Sequence, residues 1–125
     1  MKRVLVVEDE PDFARIIKRI LEPEGYSVLW SESAEAGWRA LQSEACDLAI
    51  LDWNLPGMSG IDLCRRIRED TRFSGLPVAL LTVRDLPEQQ VQGLKESGAD
   101  LYMTKPIKPE EFLARIQSLV GLLER

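Results

Sequence analysis

The 125-residue sequence contains no histidine and only two cysteines. Without histidine the chain cannot form a serine or cysteine triad with a histidine base, and it cannot act as a histidine phosphocarrier. The spacing of Cys46 and Cys64 matches no metal-binding or redox motif, so we interpret both as thiols of the core. The glycine patterns of dinucleotide-binding and phosphate-binding loops are also absent, which disfavours nucleotide binding.

Long apolar runs and an excess of positive charge are missing as well. No segment has the length and hydropathy of a membrane span, and Met1 leads almost at once into a predicted strand rather than a signal peptide. We therefore expect a cytoplasmic domain with no membrane partner. The chain has 16 basic and 21 acidic residues, and the resulting net charge of −5 argues against direct nucleic-acid binding by this domain.

Short apolar runs alternate with helix-like segments along the whole chain. Five runs predict strands, at residues 4–7, 27–30, 48–51, 78–81 and 101–103. The first, third and fourth runs indicate buried strands, whereas the second is more polar and is expected at an edge of the sheet. The starts of the intervening helices are marked by Pro11, Ser33, Ser59 or Gly60, Pro87 and Pro109. This alternation predicts one domain, residues 1–125, with a flavodoxin-like (βα)5 fold, in which a doubly wound, five-stranded parallel sheet has the order 2-1-3-4-5.

The predicted helices differ in how regularly their apolar residues are spaced. The fourth helix, near residues 87–97, has only Val91 and Leu94 as clear core residues and carries Gly93 in its middle, so we expect low local stability there. The first and last helices carry clear apolar stripes, which are Phe13, Ile16, Ile17, Ile20 and Leu21, and Phe112, Ile116, Leu119, Val120 and Leu123.

Polar side chains that can carry chemistry follow four of the five predicted strands. Glu8 and Asp9 follow the first strand, Asp52 the third, Thr82 the fourth and Lys105 the fifth. Each has an ordinary interpretation by itself, such as a cap at the end of a strand. Because ligands of parallel α/β sheets bind at the carboxyl ends of the strands, however, we expect these side chains to converge on one site.

Three converging carboxylates raise one another's pKa values unless a cation lies between them. Mg²⁺ prefers oxygen ligands, keeps several waters and typically takes one or two carboxylates. We therefore predict a magnesium site in which Asp9 and Asp52 bind directly and Glu8 binds through water. Asn54, in the turn after the third strand, is predicted to supply a backbone carbonyl.

A metal-bound Asp52 keeps one oxygen free as a nucleophile, which makes an aspartyl phosphate accessible. The Lys105 ammonium can offset the negative charge of an incoming phosphoryl group, and the Thr82 hydroxyl can donate a hydrogen bond to one of its oxygens. Asp52, Thr82 and Lys105 are thus the predicted catalytic residues.

Several short motifs stand at characteristic spacings along the chain. They are Glu8-Asp9, Asp52, Leu55-Pro56-Gly57-Met58-Ser59-Gly60, Thr82 and Lys105-Pro106. As an ordered set they resemble the receiver domain of two-component response regulators, from about Lys2 to the final helix. Residues 98–100, Tyr102 and residues 113–116 are further similar to the receivers of winged-helix transcription factors of the phosphate-regulon type.

This resemblance implies a phosphorylation-controlled signalling domain. A sensor histidine kinase would donate a phosphoryl group to Asp52 in a Mg²⁺-dependent reaction, with slow self-dephosphorylation and no substrate turnover. Thr82 would move toward the phosphate and Tyr102 would turn inward, which reshapes the face of the fourth helix, fifth strand and fifth helix. The Lys105-Pro106 bond is expected to be cis.

The resemblance also implies an output partner. We expect an effector domain after Arg125, with residues 121–125 as the start of a linker, or a separate output protein. Receivers of the winged-helix subgroup form homodimers through ion pairs on this face, and this chain lacks several of the charged residues. A phosphorylation-dependent homodimer through the reshaped face is therefore kept only as an alternative. Leu101 replaces an acidic residue, and Gln89, Gln90 and Gln92 leave the fourth helix short of charge.

Two alternatives share part of this chemistry. A phosphatase of the haloacid-dehalogenase kind also forms an aspartyl phosphate, but it needs an aspartate where this chain has Asn54, and an amide cannot serve as a general acid or base. A degenerate receiver would signal without phosphate. The presence of Glu8, Asp9, Asp52 and Lys105 argues against this second alternative.

Overall fold

The computed structural model describes residues 2–83 and 87–123, in which five strands alternate with five helices. All strands pair in parallel in the order β2-β1-β3-β4-β5, which confirms the predicted fold. The elements are β1 (Lys2–Val7), α1 (Pro11–Leu21), β2 (Tyr26–Ser31), α2 (Ala34–Ser43), β3 (Leu48–Asp52), α3 (Gly60–Glu69), β4 (Val78–Val83), α4 (Glu88–Glu96), β5 (Leu101–Lys105) and α5 (Pro109–Leu123).

The helices begin where local chemistry favours a helix start. Pro11 is the first residue of α1, where its missing N–H leaves no hydrogen bond unmade. The hydroxyl oxygens of Ser33 and Ser59 each accept a hydrogen bond of 3.1 Å from the backbone N–H three residues later, and these bonds cap α2 and α3. The sequence therefore identified these starts correctly.

The sheet separates two apolar clusters. All five residues of β3 are buried, because this central strand is covered on both sides. On one side, hereafter the α1/α5 side, the strands pack against Ile17 and Leu21 of α1 and against Phe112, Ile116 and Val120 of α5. On the other side, hereafter the α2/α3 side, the strands pack against buried residues of α2 and α3.

Two of the interpretations drawn from apolar spacing and cysteine content are wrong in detail. Ile16 is 42% exposed, because α1 turns only a narrow stripe around Ile17 and Leu21 toward the strands. Cys64 is buried as expected, but Cys46 is only half-buried in the loop before β3.

Further differences concern strand lengths, α4 and the last helix. The strand β1 begins two residues earlier than predicted, and β4 ends two residues later. The parallel ladder with β4 extends through Thr82↔Thr104 and Val83↔Lys105, so β5 is two residues longer than predicted. Val91 is half-buried rather than a full core residue. The side chains of Leu94 and Leu123, which the sequence predicts for the core, lie outside the described part of the structure, as do those of Gln89 and Gln90.

One arginine holds together the loops that lead into β4 and β5. The Arg68 guanidinium donates hydrogen bonds to the carbonyl oxygens of Leu76 at 2.5 Å and Gly98 at 2.8 Å, and it pairs with the Asp100 carboxylate at 2.8 Å. The same Asp100 oxygen accepts a hydrogen bond from the backbone N–H of Val78 at 2.9 Å. These contacts fix the amino-terminal ends of both strands.

Among the helices of residues 2–83 and 87–123, none combines the length and the apolar character that crossing a bilayer requires.

Candidate functional site

Four strands deliver polar side chains to the carboxyl edge of the sheet. Glu8 directly follows β1, Asp52 ends β3, Thr82 is the last residue but one of β4, and Lys105 ends β5. Glu8, Asp52 and Thr82 are 0%, 4% and 5% exposed, respectively. Buried polar groups at this edge are costly unless they are paired or serve a ligand.

Strand alternation decides which of these side chains share a side of the sheet. Glu8 and Asp52 follow Val6 and Ile50 at a spacing of two, and Lys105 follows Met103 in the same way. All three therefore project toward the α1/α5 side. Thr82 follows Leu80 and projects toward the α2/α3 side.

The Lys105 ammonium joins the two buried carboxylates. Its Nζ donates a hydrogen bond of 2.6 Å to Glu8 Oε1 and another of 3.0 Å to Asp52 Oδ2. Three side chains that are up to 97 positions apart in sequence thus meet at one point, as the sequence predicted. The same ammonium lies 4.3 Å from the ring centroid of Phe13, in the first turn of α1.

Burial and charge shift the ionisation of this group. Burial, together with the neighbouring Asp52 carboxylate, raises the pKa of Glu8 to about 8, although Lys105 acts in the opposite direction. Burial lowers the pKa of Lys105, but the hydrogen bonds to Glu8 and Asp52 outweigh burial, so the pKa is raised overall. The ammonium is therefore firmly charged, whereas Glu8 takes up a proton readily.

The acidic residues after β1 provide the chemistry of a cation site. Carboxylate oxygens of Glu8, Asp9 and Glu10 lie within 4.8 Å of one another, and Asp9 and Glu10 are exposed. Within the described residues, Glu8 Oε2 is buried and has no hydrogen-bond partner. A buried carboxylate oxygen without a donor next to two further carboxylates fits a hard divalent cation. This set includes Glu10, which is not among the metal ligands predicted from the sequence.

The turn after β3 holds Asp52 in place. Asp52 Oδ1 accepts a hydrogen bond of 3.3 Å from the backbone N–H of Asn54, whose side chain is exposed. Gly60 packs directly against this strand end, and a Cβ at Gly60 would lie 2.2 Å from the Asp52 carbonyl oxygen. Gly57 has a φ of +76° in the same turn. Glycine is therefore required for steric reasons at both positions.

The backbone of Glu8 is held by β2. Its N–H donates a hydrogen bond of 3.0 Å to the carbonyl oxygen of Ser31, and its own carbonyl accepts one of 2.8 Å from the indole Nε1–H of Trp30. Sequence reasoning missed both this role of Trp30 and the contact of Phe13 with Lys105. The only signals available were a tryptophan at the end of an edge strand and an aromatic residue soon after the acidic pair.

The two predicted switch residues lie on neighbouring strands. Thr82 pairs with Thr104 across the β4–β5 ladder, and Tyr102 is two positions before Thr104. Thr82 and Tyr102 therefore project toward the same α2/α3 side, where half-buried Tyr102 packs against the core. The Lys105-Pro106 peptide bond is cis, as the resemblance implied.

Sequence comparison identifies relatives over nearly the whole chain. Residues 4–117 match the response regulator receiver domain family. The chain is 44% identical over 119 residues to the response regulator RppA of Synechocystis sp., covering 94% of this chain and 50% of that protein. It is 38% identical over 119 residues to the phosphate regulon transcriptional regulatory protein PhoB of Escherichia coli, covering 95% and 52%. The chain thus spans about half the length of these relatives.

Solved structures show the same architecture. The receiver domain of a signal transduction histidine kinase from Syntrophus aciditrophicus superposes with a TM-score of 0.94 and 33% identity, covering 100% of this chain and 94% of that chain. The receiver domain of a sensor histidine kinase from Pseudomonas aeruginosa, with a magnesium ion coordinated in its active-site cleft, gives a TM-score of 0.86 at 27% identity, covering 96% and 98%. Taken with the strand order and the family match, these likenesses establish that the chain belongs to the receiver domain family of two-component response regulators.

Proposed function

We propose that Asp52 accepts a phosphoryl group from the phosphohistidine of a sensor histidine kinase, in a Mg²⁺-dependent reaction. An Asp52 carboxylate oxygen attacks phosphorus, the P–N bond to histidine breaks, and the histidine nitrogen takes up a proton. The observation that carries this proposal is the contact of Lys105 Nζ with Asp52 Oδ2 at 3.0 Å and with Glu8 Oε1 at 2.6 Å. It places a fixed positive charge beside a buried carboxylate at the edge where parallel sheets bind ligands.

Glu8, Asp9 and Asp52 are the residues that we propose hold Mg²⁺, together with the backbone carbonyl of Asn54. When bound, the ion would neutralise charge on the phosphoryl oxygens. Two features support this assignment: Glu8 Oε2 has no hydrogen-bond partner in residues 2–83 and 87–123, and exposed carboxylates lie next to it. Glu10 lies close enough to take part through water. Receiver domains generally bind Mg²⁺ in an acidic pocket, and the receiver domain from Pseudomonas aeruginosa has a magnesium ion coordinated in its active-site cleft.

Lys105 and Thr82 are the residues that we propose contact the phosphoryl group. Lys105 offsets its negative charge from the α1/α5 side. Thr82 projects toward the opposite side, so its hydroxyl reaches the phosphoryl group only after β4 shifts. Tyr102, on the same side as Thr82, then turns inward and α4, β5 and α5 change shape. These movements constitute the proposed switch.

The proposed output lies outside this domain. The chain covers about half of PhoB and of the DNA-binding response regulator MtrA of Mycolicibacterium smegmatis, which supports an effector domain after Arg125. Residues 121–125 remain the proposed start of a linker, of which residues 121–123 continue α5. A separate output protein and a homodimer through the face of α4, β5 and α5 are the alternatives. In each case residues 1–125 act as one receiver that accepts phosphate, with slow self-dephosphorylation as its only reaction besides phosphotransfer.

Intact-mass spectrometry after incubation with acetyl phosphate and Mg²⁺ tests the proposal. We expect the addition of one phosphoryl group, which EDTA prevents and Asp52→Asn abolishes. Asp62→Asn, which changes an exposed aspartate of α3, serves as the matched control and should be phosphorylated normally. Absence of any adduct with acetyl phosphate and with several histidine kinases would refute phosphorylation, and multiple turnover of a phosphate monoester would favour the phosphatase alternative.

A further inference from the structure

Phe13 contacts Lys105 but has no role in the proposed metal site or in the proposed contacts with the phosphoryl group. It lies in the first turn of α1, just after the acidic residues that follow β1, and it is the first residue of the helix's apolar stripe. The ring is half-buried and packs against the core of the α1/α5 side. This is the side toward which Glu8, Asp52 and Lys105 project.

The ring forms part of the immediate surroundings of the Lys105 ammonium. Lys105 Nζ is 4.3 Å from the ring centroid, well inside the range of a cation–π contact. Within the described part of the chain, this Nζ also donates hydrogen bonds to Glu8 Oε1 and Asp52 Oδ2. Only 19% of the Lys105 side chain is exposed, so little water competes for the cation. Among the described residues, the ammonium is therefore held by two carboxyl groups, whose charge can change, and by one aromatic ring, which carries no charge.

These contacts respond differently to the proposed reaction. A divalent cation competes with the ammonium for the carboxylates, and phosphorylation replaces one Asp52 oxygen with a bulkier group. The quadrupole of an aromatic ring is unchanged by either event. A lysine side chain has four rotatable bonds and would otherwise gain freedom when its carboxylate contacts weaken.

We propose that Phe13 is a positioning residue for Lys105, whose aromatic face keeps the ammonium beside Asp52 while the charges on the two carboxylates change. This inference rests on the proposed phosphorylation of Asp52. Phe13 acts through Lys105 and does not itself touch the phosphoryl group. Leucine at position 13 would fill the apolar space but provide no aromatic face.

Three variants separate the aromatic face from apolar packing. Phe13→Leu keeps an apolar side chain, and Phe13→Tyr keeps the aromatic face. Phe73→Leu is the matched control, because Arg72 lies 4.9 Å from the Phe73 ring in the loop before β4, at the opposite edge of the sheet. At saturating Mg²⁺, we expect Phe13→Leu to slow phosphorylation by acetyl phosphate about 3- to 10-fold. Phe13→Tyr and Phe73→Leu should retain the wild-type rate.

A double-mutant cycle tests whether Phe13 acts through Lys105. In a Lys105→Ala background, Phe13→Leu should cause no further loss of rate. An equal loss in both backgrounds would overturn the inference, because it would show a merely structural role. A wild-type rate for Phe13→Leu, or an equal loss for Phe13→Leu and Phe13→Tyr, would overturn it as well.

A second measurement does not depend on phosphorylation. Reductive methylation with formaldehyde and cyanoborohydride, in the presence of Mg²⁺, reports how well the Lys105 amine is shielded, with exposed Lys108 as an internal reference. We expect Phe13→Leu, but not Phe13→Tyr, to raise the labelling of Lys105 relative to Lys108 several-fold. Unchanged labelling in Phe13→Leu would overturn the inference. If the wild-type protein accepts no phosphate, the proposed function fails and the labelling alone decides the role of Phe13.

Discussion

At the scale of single residues, the buried carboxyl group of Glu8 distinguishes this site from an ordinary surface cluster of acids. It is fully buried, contacts Lys105 through one oxygen and has no partner for the other among the described residues. A charged carboxylate in this position is costly unless a cation accompanies it. Protonation and metal binding are therefore two ways of satisfying the same group.

The ionisation of Glu8 makes stability dependent on pH in the absence of metal. Burial raises the pKa of Glu8 from 4.5 to about 8, so between these values the folded protein holds a proton that the unfolded chain does not. The contribution of Glu8 to the free energy of unfolding should therefore be greatest below pH 4.5, and it should be lost as the pH rises through about 8. Urea denaturation in EDTA at a series of pH values measures this dependence.

Glu8→Gln is the control for that measurement, because the amide keeps an oxygen for Lys105 but cannot ionise. The fall in stability across this pH range should be smaller in the variant than in the wild-type protein. Identical curves for the two proteins would show that Glu8 does not titrate differently in the folded and unfolded states.

The Trp30 indole makes a second prediction at this scale. Its hydrogen bond to the Glu8 carbonyl is 2.8 Å long and fixes the backbone that leads into the acidic residues. Trp30→Phe removes this donor from a partly buried carbonyl that water can still reach, which should cost about 0.5–1.5 kcal/mol of stability. It should also weaken Mg²⁺ binding several-fold, as followed by the fluorescence of Trp53, which lies next to Asp52 in the chain.

Trp38→Phe provides the comparison. Trp38 packs against Phe73 and Arg66, away from the acidic residues. The Mg²⁺ affinity of this variant should equal that of the wild-type protein. If both tryptophan variants changed the affinity equally, the indole of Trp30 would have no specific role at the site.

At the scale of secondary-structure elements, two glycines differ in whether a larger residue could replace them. One lies at the junction of β3 and α3, and the other in the middle of α4. Gly60 starts α3 directly against the end of β3, where an added Cβ would collide with the Asp52 carbonyl oxygen. Gly93 lies within α4, and an added Cβ there would meet no atom within 4 Å. The first glycine is thus required by packing, whereas the second only lowers helix propensity.

Alanine at these two positions should therefore have opposite effects. Gly60→Ala should destabilise the protein by about 1–3 kcal/mol or more, because backbone atoms near Asp52 must move. Gly93→Ala should stabilise it by about 0.5–1 kcal/mol. Chemical denaturation of both variants tests the pair, and a destabilising Gly93→Ala would show that α4 does not tolerate the added methyl group.

Helix starts and strand order could be predicted from the sequence, whereas the length of β5 could not. Ser33, Ser59 and Pro11 are predictable because a helix start depends on residues a few positions apart. The strand order follows from general rules for alternating strands and helices. The extra length of β5 was not predictable, because it depends on the partner residues that β4 supplies, and neither Lys105 nor the following Pro106 is typical of strands.

The same distinction applies to the site. Glu8, Asp52 and Lys105 could be predicted because each is a chemically unusual ending for an apolar strand. Phe13 and Trp30 could not, since an aromatic residue on a helix or an edge strand is ordinary until its ring is seen next to Lys105 or the Glu8 carbonyl. Exposure of Ile16 was missed because helical spacing does not specify how wide the buried stripe is.

At the scale of the whole molecule, the net charge of −5 is partly concentrated at one edge of the sheet, where Glu8, Asp9, Glu10 and Asp52 lie together. A divalent cation that binds only the folded protein stabilises it by mass action. Without such an ion, only Lys105 and a proton on Glu8 offset the charge of the clustered carboxyl groups. Metal binding and global stability are therefore linked.

Mg²⁺ should raise the unfolding temperature of the whole domain. At a concentration 100 times the Kd, the stabilisation should be about 2.7 kcal/mol. Asp9→Asn should reduce the effect, whereas Asp12→Asn, which changes an exposed residue paired with Arg15, should not. Differential scanning calorimetry with Mg²⁺ or EDTA measures both. A thermal midpoint unaffected by Mg²⁺ would contradict the metal assignment.

The alternation of side chains along the strands has a consequence for how the two halves of the molecule communicate. Asp52 and Thr82 lie on adjacent strands but face opposite sides of the sheet. A change at Asp52 is therefore separated from Thr82 only by the backbone of the sheet. A partner protein that binds over α1 leaves the surface next to Thr82 and Tyr102 exposed. A phosphoryl donor and a protein that responds to phosphorylation therefore need not bind the same surface.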